Sequence, residues 1–178
     1  MPDAGDEARE VAARFDSPVL LLGGEAQLAR IINELPNAQV FHFAGHAIES
    51  GQFSGLLLAS PQNEGGPRFL DAHYFSTLKF RDARVVVFSA CATANGSGEG
   101  LNDRDSLTRN AISAGVSNVL ASRWIVDSAA TREWMRSFYD RALNGDFLSS
   151  AAKQARIKIR TTKEWRHPFF WASFSVFV

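Results

Sequence analysis

One cysteine and one histidine stand at matching places in this 178-residue chain. His46 follows the apolar stretch Val40–Ala44. Cys91 follows residues 84–90, where Val85, Val86, Val87 and Phe88 stand in a row. A continuous β-branched run of this kind suits a parallel strand buried on both faces. Open α/β sheets build their sites at the carboxyl ends of such strands. If the two strands are parallel neighbours, His46 and Cys91 face one another above the sheet. A thiol with an ordinary pKa of about 8.5 is a poor nucleophile at neutral pH. A nearby imidazolium brings it to roughly 3.5–7.5 and supplies thiolate. The competing account is an inert core cysteine, because free Cys is among the most buried residue types.

The other polar signals are weaker. His42 forms an H-x3-H pair with His46, but no further His or Cys ligand is near and no HExxH glutamate is present, so no metal is assigned. His42 is expected to pack within its strand, and His73 and His167 are expected to be structural. Gly96, Gly98 and Gly100 imitate a nucleotide loop, yet their spacing is not G-x-G-x-x-G and the preceding strand ends too early. The segment 92–104 reads instead as a loop shaping a substrate groove. Ordering it costs about 1–2 kcal/mol per residue in backbone entropy, which a substrate or partner must offset. Lys153, Arg156, Lys158, Arg160, Lys163 and Arg166 form a local basic stretch with Glu164 as its only acid. It reads as a solvated helix face, with docking to an acidic partner or nucleic acid as the alternative.

The elements that must hold these residues alternate. Helical spacing is expected over 6–15, 25–35, 104–114, 129–143 and 147–160. Apolar strand runs are expected at 19–22, 40–44, 56–59, 84–90, 116–124 and 170–178. Gly23-Gly24, Gly115 and Gly145 punctuate them, and 61–68 carries loop chemistry. The alternation predicts an α/β layer fold with a mostly parallel sheet. With 19 basic and 19 acidic residues the net charge is zero, which argues against a protein built to grip nucleic acid or an anionic membrane. One cysteine excludes a disulfide framework and suits a reducing cytoplasm. No apolar run reaches the ~18 residues of a membrane span, and residues 1–12 lack the apolar core of a signal peptide.

A Cys preceded by Ala, with a His about 50 residues upstream, is a caspase pattern. Here the local sequence is Ser89-Ala90-Cys91, and His46 lies 45 residues before Cys91. Several blocks extend the match: VFHFAGHA (40–47), SGLLLAS (54–60), VVVFSACAT (85–93), GEGL (98–101), AGVSNVLASRWIVDSAAT (114–131) and HPFFWASF (167–174). Together they resemble the CHAT domain, a caspase-like family related to separases and often carried by TPR-containing proteins.

The resemblance implies a three-layer caspase-like α/β fold over 17–178, with 1–16 a helical segment left from a longer chain. It implies a cysteine endopeptidase using His46 as base and Cys91 as nucleophile, with the oxyanion held by the backbone N–H groups of Cys91 and Ala47. In caspases the residue after the His is glycine; Ala47 keeps the N–H but adds a Cβ. Separases cut after arginine using an aspartate close to a strand-ending Trp. Asp127, three residues past Trp124, is the matching acid, with helix capping as its alternative role. Arg123 matches a caspase arginine that selects acidic residues, and Glu99 falls in the segment that shapes the substrate groove. No cofactor is implied. The expected partners are a protein substrate and an activating partner or upstream region, in the cytoplasm. A catalytically inactive caspase-like scaffold is the alternative reading.

Overall fold

The computed structural model describes residues 3–50, 53–61, 68–78, 80, 82–90 and 107–178. Its centre is a four-stranded sheet in the order β1 (Val40–Ala44), β5 (Val85–Ser89), β6 (Val119–Ser122), β7 (Phe174–Phe177). β1, β5 and β6 run parallel, and β7 closes the far edge antiparallel. All five residues of β5 are buried. Their alternation divides the core in two. Val85 and Val87 face one apolar cluster, while Val86 and Phe88 face the other.

Helices fill both faces. On the first lie α1 (Ala4–Ala12), α5 (Ser128–Ala142), α6 (Leu148–Thr161) and the single turn α7 (Pro168–Trp171). Ala130, Trp134, Met135 and Phe138 form the inward stripe of α5 at helical spacing. Ala151, Ala152, Ala155 and Ile159 form that of α6, whose small residues admit α5 closely. On the second face lie α2 (Leu28–Glu34), α3 (Ala72–Thr77) and α4 (Leu107–Ser113). A second sheet, β2 (Ala47–Ser50), β3 (Phe53–Leu58) and β4 (Arg68–Asp71), is antiparallel throughout and contributes Leu56, Leu58 and Leu70 to that cluster. Helix, sheet and helix make the three layers of a caspase-like fold. No helix among the described residues is long and apolar enough to cross a membrane.

Two expected strands are corrected. Residues 19–22 form no strand; Val19 is 62% and Leu20 37% exposed. Among the described residues their backbone has no sheet neighbour, and β-propensity makes no ladder without one. The apolar end of the chain divides into α7 and β7. His167 caps α7 by accepting the Phe169 N–H through Nδ1, and Pro168 occupies the first helical position, where its missing N–H costs nothing. The expected run 56–59 belongs to the antiparallel sheet, apart from the central one.

Candidate active site at the carboxyl ends of β1, β5 and β6

β1 and β5 pair in the register Val40↔Val85 through Ala44↔Ser89. The ladder runs one residue further, with the Gly45 N–H donating to the Ser89 carbonyl at 3.2 Å. Gly45 lies beneath its own strand's aromatic side chain. A Cβ there would stand 2.8 Å from the Phe43 ring, so any larger residue at this turn would have to displace that ring. His46 follows and is exposed; its carbonyl accepts the Leu57 N–H at 2.8 Å, which ties the turn to β3. Ala47 then opens β2 opposite Leu56.

The loop after β6 lies at the same sheet end. The Arg123 N–H donates to the Ser173 carbonyl at 2.8 Å, and Trp124 Nε1–H donates to the Phe169 carbonyl at 3.0 Å. Ile125 is 66% exposed between them and the helix. Asp127 is the N-cap of α5, its Oδ1 accepting the Ala130 N–H at 2.9 Å. Arg123 also bears on Arg156. Burial first, and the Arg123 charge second, lower the Arg156 guanidinium from its ordinary value. Arg156 donates to the Phe174 carbonyl, and Arg160 sits 5.8 Å over the Trp171 ring. Arg156 is therefore structural, while Lys153, Lys158, Arg160, Lys163 and Arg166 form the exposed part of the basic stretch.

Parallel topology thus brings His46, Ala47, Arg123 and Asp127 to one end of the sheet. Cys91 and Glu99 lie outside the described residues. The last described residues of that strand, Ser89 and Ala90, are fully buried. Ser122 Oγ donates to the Ala90 carbonyl and so ties the end of β6 to the residue that follows β5. Sequence reasoning passed over Ser122; its only signal was a hydroxyl ending an otherwise apolar strand.

A second polar group went unread. His42 Nε2–H donates to Glu7 Oε1 at 3.0 Å, since a carboxylate can only accept, and His42 Nδ1 lies 3.1 Å from the Tyr139 hydroxyl. The His42 and Glu7 side chains are 7% and 3% exposed. Burial and the Glu7 charge push the Tyr139 phenol far above its usual value, so it stays protonated and can donate to the ring. This group rivets α1 to β1 and α5. It occupies both ring nitrogens of His42, the residue read from sequence as packing within its strand.

A family model described as the CHAT domain matches residues 1–178. Tetratricopeptide repeat protein 28 of Mus musculus is 28% identical over 99% of the chain, and its Homo sapiens counterpart 26% over 98%. The chain spans 8% of the length of each of these relatives.

Proposed function

The chain belongs to the CHAT domain family, and from that premise we propose that it is a cysteine endopeptidase acting on a protein substrate through His46 and Cys91. One observation carries the reading. β1 and β5 are parallel in the register Ala44↔Ser89, and His46 and Cys91 each stand two residues beyond that pair in the sequence.

In this mechanism the His46 imidazole takes the thiol proton, and the Cys91 sulfur attacks the scissile carbonyl carbon. The oxyanion is held by the backbone N–H groups of Cys91 and Ala47. Such prearranged donors are worth about 3–4 kcal/mol apiece. The C–N bond then breaks, the imidazolium protonates the departing amine, and a thioester remains on Cys91. Water, deprotonated by His46, hydrolyses it and returns the thiol. Arg123 and Asp127, at the same sheet end, and Glu99 contribute to substrate selection.

The test is labelling with an acyloxymethyl ketone followed by peptide mapping. Label on Cys91, lost in Cys91→Ala at an unchanged melting temperature, is expected. His46→Ala should slow labelling at pH 7 on the order of tenfold, because an unassisted thiol is only about 3% thiolate there. Equal labelling rates in the two proteins would remove His46 from the mechanism. A Cys91 no more reactive than free cysteine would leave the inactive-scaffold reading.

A further inference from the structure

The two long helices of the first face treat their arginines differently. Every arginine of α5 sits against a carboxylate: Arg132 and Arg136 against Glu10, and Arg141 against Asp146. α6 packs beside it and does the reverse. Lys153, Arg156 and Arg160 recur there at i, i+3 and i+7, which places them on one stripe of the helix. None of the three meets a carboxylate among the described residues.

A fourth cation joins the stripe from the sheet. Arg156 donates to the Phe174 carbonyl at the start of β7, and Arg160 covers Trp171. The Arg123 N–H holds the Ser173 carbonyl between them, and the Arg123 charge bears on Arg156. A solvated helix face would keep each of these charges in water. Arg156 is instead half-buried, and its Nε–H is fully buried with no acceptor among the described residues. A guanidinium stays protonated at any physiological pH, so this site cannot relieve itself by losing a proton. A partly buried charge is stabilised by a counter-charge, and an anion brought to this face supplies one.

We propose that the Lys153–Arg156–Arg160 stripe, with Arg123, docks an acidic segment of a partner polypeptide. The planar forks of arginine take carboxylates through two bonds at once. At 1.5 Å per residue the three side chains of α6 stand about 4.5 and about 6 Å apart along the helix. Residues two apart in an extended peptide are separated by about 6.6 Å, so acids at that spacing reach successive cations. Ile157 lies within the same stripe and is 43% exposed, which calls for apolar side chains among the acids. A phosphodiester backbone has nothing to set against it, and a chain of zero net charge is poorly suited to gripping nucleic acid. The proposal is independent of the peptidase reading, because an inactive scaffold would use the same face.

The probe is a capped, fluorescein-labelled peptide, GEDEVEELEDEG, titrated with the whole 178-residue chain and followed by fluorescence anisotropy. The control peptide carries Gln and Asn in place of every Glu and Asp. Saturable binding of the acidic peptide is expected, weakening as salt is raised from about 0.1 M to about 0.5 M, with none of the control. Lys153→Glu together with Arg160→Glu, at two exposed positions, should weaken binding on the order of tenfold. The same charge change at Arg30 and Arg84, away from this face, should alter it by no more than about threefold at 0.15 M salt, because distant charges are screened. If the α6 double variant fails to fold, Lys153→Glu alone serves, with a loss of roughly threefold expected. Absence of saturable binding would overturn the proposal. So would equal binding of the control peptide, an undiminished affinity in the folded α6 variant, or an equal loss in both double variants. Tighter binding of an oligothymidylate of equal charge, lost in the same α6 variant, would assign the face to nucleic acid and overturn it as well.

Discussion

At the residue scale, Asp127 shows how one side chain serves fold and site together. Its carboxylate caps α5, yet it sits beside exposed Ile125 at the sheet end that carries His46. Asn is as good a cap as Asp, whereas Ala is not. Asp127→Asn should therefore leave urea stability within about 0.5 kcal/mol of wild type, and Asp127→Ala should lower it by about 1 kcal/mol. If the charge also selects a basic residue before the scissile bond, a peptide-library digest with Asp127→Asn should lose any preference for Lys or Arg. An acidic preference in the unmodified chain would assign selection to Arg123. Glu7 makes the opposite case. Glu7→Leu strands the buried His42 Nε2–H and should cost about 1–3 kcal/mol in urea denaturation, while Glu7→Gln, which still offers an oxygen, should cost less. A leucine variant as stable as wild type would show that the contact contributes nothing. Asp127 was legible because capping and charge are local to its sequence. Glu7 was not: in AGDEAREVA it reads as a solvated acid, and its partner His42, with the Tyr139 that His42 also meets, comes from other elements far along the chain.

At the element scale, α1 is held to α5 by charge as well as by Val11. Glu10 accepts from both Arg132 and Arg136, and Arg14 pairs with Asp140 at 3.0 Å. The Arg132 hydrogen bond, with help from Arg136, holds the Glu10 carboxyl below its ordinary value against a smaller cost of burial. A carboxyl with a depressed folded pKa adds stability above its unfolded pKa of about 4.3, and that stability fades as pH falls through the folded value. The melting-temperature gap between wild type and Glu10→Gln should thus be full at pH 6 and shrink as the solution is acidified below about pH 4. A gap constant across that range would exclude the ion pair as its source. β5, α5 and α6 were readable because their apolar periods are long and unambiguous. The 19–22 run has the same local chemistry as a strand, but strandhood there depends on a neighbour that no local pattern encodes. The terminal apolar run was misjudged because Phe170 and Trp171 of α7 are as apolar as the strand that follows, so composition does not mark where the helical turn ends.

For the whole molecule, the α/β layering with a mostly parallel sheet followed from the alternation of elements and the three-layer arrangement from the family resemblance, while the separate antiparallel sheet followed from neither, since β3 alone is only an apolar run. The carboxyl-end cluster was legible because parallel topology converts positions after strands into neighbours. One contact already described also sets an order in time. α1 sits on β1 and α5, and its side chains meet partners as far as 126 residues away. Closing so long a loop is entropically costly early in folding, and contacts of high sequence separation tend to form after the local ones. α1 is made before α5 in synthesis, and until α5 exists it can rest only on β1 and lacks the half of its seat that Arg132, Arg136 and Tyr139 supply. Val11→Ala removes about two buried carbon groups, worth roughly 2 kcal/mol. If α1 docks after the rate-limiting step, the change should leave the refolding rate nearly untouched and speed unfolding roughly 30-fold in stopped-flow measurements. A slowed refolding limb would instead put α1 in the nucleus. With late docking, the α1 rivet acts as a clasp: it adds nothing to how fast the chain finds its fold and governs how long the fold persists.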